Sequence, residues 1–250
     1  MDALITLAET LADEAGKVAR QYFRQPVEVD SKSDATPVTI ADRTIEETLR
    51  KIIERERPDD GILGEEFGPK ESHNGYTWVL DPIDGTKSFV IGRPTFGTLI
   101  ALWKDGLPVL GIIDQPVSQE RWRGVTGKPT LFNGQTVKTR ACQSLKEARA
   151  ASTSPSQLPN LWPTLYKETN ILVWGGDCYS YGLMANGGLD VIVEQFLAPY
   201  DFAALVPIVE GAGGKMCDWQ GNRLTLESKG QTLAVGDPSL LQPMLEILKA

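Results

Sequence analysis

The 250-residue chain is short of the side chains that do most nucleophilic and transition-metal chemistry: it has one histidine, His73, and three cysteines, Cys142, Cys178 and Cys217. A histidine phosphatase or a Ser-His-Asp hydrolase would have to use His73, which stands in the polar run Glu71-Ser72-His73-Asn74-Gly75 and reads as solvated. The same shortage argues against zinc and iron, whose sites draw on imidazole and thiolate. Three dispersed cysteines suit neither a disulfide scaffold nor a zinc site and read as thiols of a reducing compartment. Cys217-x5-Arg223 has the spacing of a cysteine phosphatase, but the Asp-Trp-Gln-Gly-Asn between them is not an amide cradle. Long apolar runs are missing, since none approaches the roughly 18 residues a membrane span requires. The opening segment is acidic and amphipathic, unlike a signal peptide. Positive charge is in deficit, with 25 Lys and Arg against 33 Asp and Glu and a formal charge of −8. That balance speaks against nucleic acid as a partner, because phosphate backbones reward clustered cations. The expectation is a cytoplasmic globular protein that binds neither membrane nor nucleic acid.

What is present is regular. Leu4, Leu7, Leu11, Val18 and Tyr22 recur at helical spacing in a first amphipathic helix ending near Pro26, and a second through Ile45, Leu49, Ile52 and Ile53 runs from near Thr39 to before Pro58. GILGEE and YTWVLDPI then read as strands ending in acids. Strands from Phe96 to Trp103 and from Leu107 to Ile113 form a hairpin through Lys104-Asp105-Gly106, with a further strand over Arg121 to Val125. Beyond residue 146 strands (ARAAST, NILVWGG, LDVIVEQF, QTLAVG) alternate with helices (DCYSYGLMANGG, DFAALVPIVEGAGG). The fold class is α/β in α+β layers. An N-terminal α+β lobe covers 1–145 and a C-terminal α/β lobe 146–250, in one continuous catalytic unit.

The chemistry concentrates at Asp81-Pro82-Ile83-Asp84-Gly85-Thr86, where two carboxylates end an apolar strand. Pro82 fixes φ and Gly85 permits a sharp turn, so both acids can aim at one point and the Ile83 carbonyl and the following amides stay exposed. Hard divalent cations favour such all-oxygen ligands, and Mg²⁺ commonly recruits a substrate phosphate as well. The three-residue separation of the acids does not fit the D-x-D of a haloacid dehalogenase. Glu65-Glu66 and Pro199-Tyr200-Asp201 have the same acidic character; alone, the first is a surface loop and the second a helix-capping acid. With Asp81 and Asp84, and one of the two glutamates, they supply four carboxylates, enough for two metals.

Glu65-Glu66, Asp81-Pro-Ile-Asp84-Gly85-Thr86, Trp174-Gly-Gly-Asp177 and Pro199-Tyr200-Asp201, in this order, resemble the inositol monophosphatase family of Mg²⁺-dependent phosphatases. Thr86-Lys87-Ser88-Phe89, Gly92-Arg93-Pro94, Phe96-Gly97-Thr98 and Gly111-Ile-Ile-Asp114-Gln115-Pro116 look most like its histidinol-phosphate phosphatase branch. The resemblance implies an αβαβα sandwich and hydrolysis of a small-molecule phosphate ester, L-histidinol phosphate, by a metal-activated water. Inositol 1-phosphate or another sugar phosphate is the alternative substrate, and a non-catalytic interaction protein on the same fold is the alternative class. It further implies two or three Mg²⁺ per site, with Mn²⁺ as a substitute, and a homodimer. Glu65, Asp81 and the Ile83 carbonyl would bind the first ion; Asp81, Asp84 and Asp201 would bind the second. Thr86 and Asp42 would orient and deprotonate the water, and Asp84, Gly85, Thr86, Lys87, Asp177, Glu194 and Asp201 would contact substrate. Residue chemistry alone leaves bland readings open: Asp42 as a first-turn helix acid, Asp177 as an N-cap, Lys32 as a loop lysine rather than a phosphate contact. Glu66 could replace Glu65 in part.

Overall fold

Apolar spacing in the first sixty residues sets two helices against the face of a sheet. The computed structural model describes residues 1–25, 29–31 and 37–249. Helices α1 (Asp2–Tyr22) and α2 (Ile40–Glu56) flank an antiparallel pair, β1 (Val29–Ser31) and β2 (Pro37–Thr39). A seven-stranded sheet follows in chain order: β3 (Gly61–Gly64), β4 (Tyr76–Asp84), β5 (Gly97–Lys104), β6 (Leu107–Gln115), β7 (Glu120–Val125), β8 (Leu131–Phe132) and β9 (Gln135–Thr136). A short helix, α3 (Thr86–Val90), leaves the end of β4. Asp105 and Gly106, both at positive φ (49° and 76°), make the β5–β6 turn. That pair matches the twist of the hairpin.

The second sheet contains β10 (Arg149–Ser152), β11 (Ile171–Trp174), β12 (Val191–Glu194), β13 (Lys215–Cys217) and β14 (Thr232–Val235), in the order β11-β10-β12-β14-β13. Its helices are α4 (Trp162–Glu168), α5 (Tyr179–Ala185), α6 (Pro199–Phe202), α7 (Leu205–Gly211) and α8 (Leu241–Lys249). Three apolar clusters hold the layers together. Leu11, Ala15, Ile45 and Leu49 of α1 and α2 pack on Trp78, Leu80, Ile100 and Ile112. Val79, Leu99, Trp103 and Ile113 face the other way, onto α5 to α7, whose far side meets Ala151, Ile192 and Ala234 of the second sheet. Leu165 of α4 and Met244 and Leu245 of α8 cover that sheet's outer face through Val191, Val193 and Leu233. The result is an αβαβα sandwich. With both faces buried, β4 and β5 read as nearly continuous apolar runs rather than as alternation.

The segment 201–214, expected as one helix, is two. Pro207 has no N–H to give the Ala203 carbonyl four residues back and its ring crowds that position. The chain turns between α6 and α7, and the indole Nε1 of Trp103 donates to the Ala203 oxygen instead, at 3.2 Å. Two glycines let this junction lie directly on the first sheet. A Cβ on Gly111 would stand 2.0 Å from the Ala204 carbonyl oxygen, and one on Gly124 2.4 Å from the Pro207 backbone.

Candidate active site

In a regular strand side chains alternate, so residues three apart face opposite ways. Asp81 and Asp84 escape that rule. Asp81 pairs with Leu99 and Asp84 with Gly97, so three steps along β4 match two along β5 and the register shifts between them. The extra residue is a bulge at Pro82-Ile83, which bends the strand and returns both carboxylates to one side. Thr98 fastens the bulge by donating its hydroxyl to the Pro82 carbonyl at 2.8 Å.

Asp201 arrives from the other half of the chain, in the first turn of α6, where it accepts the Ala198 amide at 2.6 Å. One carboxylate oxygen from each of Asp81, Asp84 and Asp201 lies within 4.8 Å of the others. Glu65 adds a fourth carboxylate beside Asp81. Burial first, then the charges of Glu65, Asp84 and Asp201, holds the Asp81 carboxyl well above the ordinary carboxylate range. Asp84 is pushed the same way by burial and by Asp177 and Asp201, against the partial relief of the Cys178 amide, which donates to it at 2.5 Å. Such a cluster cannot ionise fully without compensating positive charge. Asp81 Oδ1 is buried and has no hydrogen-bond partner among the described residues. Carboxylate oxygens and the nearby Ile83 carbonyl form an all-oxygen donor set that fits a hard divalent cation such as Mg²⁺.

The Thr86 hydroxyl lies 3.2 Å from the Ile83 carbonyl and 3.5 Å from Asp42 Oδ1, able to donate to either. Gly85, at φ 82°, caps α3, and a Cβ there would come 2.5 Å from the Asp177 carboxyl carbon. Asp177 does not cap α5, whose N-cap is Cys178; its Oδ2 accepts the Thr95 hydroxyl at 2.9 Å. A cleft of about 280 Å³ opens over these groups, with Glu65, Asp84, Gly85, Thr86, Lys87, Asp177, Glu194 and Asp201 among its lining residues. Glu194, at the end of β12, is buried, and that burial pushes its carboxyl up to about 7 despite relief from the neighbouring Thr153. Lys32 lies outside the described residues. A larger cavity of about 690 Å³ sits between α1 and β6–β7, but Arg121 there already pairs with Glu9, Asp13 and Asp114, so its polar groups satisfy one another.

One supporting residue escaped the sequence reading. Glu46, fully buried on α2, pairs with Arg50 at 2.7 Å and accepts the amides of Glu66 and Phe67 at 2.7 and 3.2 Å. It thereby fixes the loop that presents Glu65. The available signal was an Asp42, Glu46, Arg50 row at four-residue steps on a helix whose neighbouring stripe is apolar.

The chain matches the inositol monophosphatase family over residues 1–247. An inositol monophosphatase from Zymomonas mobilis shares its fold with a TM-score of 0.91 and 49% identity, covering 100% of this chain and 98% of that one. The chloroplastic bifunctional phosphatase IMPL2 of Arabidopsis thaliana is 43% identical over 100% of this chain and 76% of its own length. The histidinol-phosphatase of Chlorobaculum parvum is 39% identical over 90% of each. With a clustered oxygen-ligand site on an αβαβα sandwich, the chain is a metal-dependent phosphatase. It belongs to the inositol monophosphatase family, whose members generally use Mg²⁺.

Metal and pH are therefore coupled to stability. A carboxyl whose pKa is raised by folding takes up protons as the chain folds; that stabilisation is present below the ordinary carboxylate range and is lost as pH rises through the raised value. Asp81 and Asp84 act in this direction, as does Glu194 near about 7. EDTA-treated protein is expected to melt at lower temperature at about pH 8 than at about pH 5.5, as far as these groups are concerned. Mg²⁺ at a hundredfold excess over its Kd adds about 2.7 kcal/mol. Its effect should be larger at the higher pH, where protons no longer compete for the same oxygens. Melting curves with EDTA and with Mg²⁺ at the two pH values check this; no Mg²⁺-dependent shift at the higher pH contradicts it.

Proposed function

We propose that the protein hydrolyses L-histidinol phosphate to L-histidinol and phosphate. One observation carries the substrate reading: Glu194, a buried acid in the wall of the metal-site cleft, has an oxygen, Oε2, with no hydrogen-bond partner among the described residues. An ammonium or imidazolium group on the substrate's alcohol would satisfy it. Histidinol-phosphatases from Chlorobaculum parvum and, at 38% identity, Mycobacterium tuberculosis support this branch.

In this reading Glu65, Asp81 and the Ile83 carbonyl would hold one Mg²⁺, and Asp81, Asp84 and Asp201 would hold another; two or three ions, or Mn²⁺ in their place, fit the reading. When bound, the ions supply charge neutralisation for the phosphoryl group and acidify water. The residues of the chain do the rest. The Thr86 hydroxyl, donating toward Asp42, leaves a lone pair to orient a water, and Asp42 receives the proton that water gives up. The amides of Gly85 and Thr86, with Lys87, meet the phosphoryl oxygens. Asp177, already held by Thr95, braces Gly85 and adds negative charge beside Glu194. The reading includes a homodimer in the cytoplasm; three buried free thiols agree with a reducing compartment. No described helix is long and apolar enough to cross a membrane.

A second reading, inositol 1-phosphate as substrate, is favoured by the 49% identical Zymomonas mobilis structure, described as an inositol monophosphatase. Glu194→Gln separates the two. A charge-assisted contact is worth roughly 1.5–3 kcal/mol, and each ~1.4 kcal/mol is tenfold. At about pH 8, above the Glu194 value of about 7, the substitution should lower kcat/KM for histidinol phosphate on the order of tenfold to a hundredfold relative to glycerol 2-phosphate. Equal losses on both esters would make Glu194 a structural support and remove the observation on which the reading stands.

A further inference from the structure

The seven-residue step from Glu194 to Asp201 contains a residue that neither the metal site nor the fold explains. Phe196 has φ 71°, a left-handed backbone that a non-glycine residue adopts only under constraint, and it leaves 71% of its surface exposed. Both features are unfavourable. The constraint comes from its neighbours. The Leu197 amide donates to the Gly230 carbonyl at 3.1 Å. Gly230 comes so close that a Cβ there would lie 2.3 Å from the Leu197 oxygen and 3.0 Å from the Phe196 carbonyl carbon. On the other side the Ala198 amide is tied to Asp201. Strain of this kind, over-determined by its surroundings, collects at functional sites.

The ring stands in the wall of the same cleft as Glu194 and Asp177. An exposed aromatic ring in a cleft wall that also holds two carboxylates suits a flat cation: the acids attract the charge and the ring can attract it again through its negative face. A sugar or polyol could hydrogen-bond the acids but, carrying no charge, would gain less from that wall than a planar cation. We propose that Phe196 is a specificity-determining residue, its exposed ring being the surface on which a planar cationic ring of the substrate's alcohol lies. The proposal rests on the histidinol phosphate reading, since imidazolium is such a ring.

The test compares wild type with Phe196→Leu, which keeps apolar bulk and removes the π face, on two phosphate esters with Mg²⁺. Histidinol phosphate carries an ammonium and an imidazole, whereas O-phosphoethanolamine carries the ammonium alone. Phe196→Leu is expected to raise KM for histidinol phosphate about five- to tenfold more than for phosphoethanolamine, with kcat for both moving together. Its melting temperature should stay with wild type because the ring is exposed. Wild type that favours histidinol phosphate while Phe196→Leu shifts both KM values equally overturns the role of Phe196 and leaves the substrate reading standing. Wild type with no preference for histidinol phosphate over phosphoethanolamine overturns the substrate reading and the role of Phe196 with it. A changed sedimentation coefficient with an unchanged KM ratio would place the ring between two copies of the chain and likewise overturn the proposal.

Discussion

Asp84→Asn is expected to reduce phosphate release by at least about a thousandfold while the protein stays folded. The side chains are nearly the same size, and an Asn oxygen can still accept the Cys178 amide that Asp84 accepts at 2.5 Å. What is lost is negative charge at the point where the Asp81, Asp84 and Asp201 carboxylates converge. Lewis-acid stabilisation of a phosphoryl oxygen amounts to several kcal/mol, and each ~1.4 kcal/mol is tenfold in rate. Removing one charge from mutually repelling buried acids should, if anything, raise the melting temperature of the metal-free protein. The Mg²⁺-dependent rise should shrink or vanish. Phosphate release and melting curves with and without Mg²⁺ check both halves, and near-normal turnover by the folded variant would sink the metal-site assignment.

Gly111→Ala carries the largest expected stability loss. The new methyl carbon would sit 2.0 Å from the Ala204 carbonyl oxygen, well inside any tolerable contact, and the obstacle is backbone rather than a side chain able to swing away. Relief requires lifting the α6–α7 junction off the sheet. That opens the packing of Phe202, Leu205 and Ile208, all buried, and shifts Asp201 with it. Overpacking costs typically 1–3 kcal/mol and more where nothing can yield, so a loss of about 3 kcal/mol or above is expected. For a chain of this size that is a fall of roughly 6–12 °C in melting temperature. Gly124→Ala, against Pro207, should behave similarly. A melting temperature within about 1 °C of wild type would mean that the helix junction does not rest on the sheet as described.

How much of this could be read from the chain depended on whether one period governed the segment. Apolar stripes marked α2 to within a residue or two and placed α1 correctly, though α1 stops at Tyr22, some four residues before the Pro26 stop signal, and Asp105-Gly106 marked its hairpin because both positions tolerate positive φ. The convergence of Asp81 and Asp84 was legible from the Pro82 and Gly85 between and after them, but the device that achieves it, a bulge in β4, leaves no mark in residue type beyond Pro82. Pro207 divides a segment whose apolar pattern is continuous. Glu46 was hidden because a buried acid looks like a surface one until its partners, Arg50 and the Glu66 and Phe67 amides, are placed. The left-handed backbone of Phe196 is imposed by Gly230, thirty-four residues away in sequence, and no local signal announces it.

The most direct measurement is kcat/KM of the wild-type protein for L-histidinol phosphate and for inositol 1-phosphate, side by side with Mg²⁺, by phosphate release. A cleft whose acidic wall includes Glu194 predicts a preference for histidinol phosphate on the order of tenfold to a hundredfold, abolished by EDTA. Equal turnover, or a preference for inositol 1-phosphate, would contradict the substrate assignment, and turnover undiminished after chelation would contradict the metal site itself.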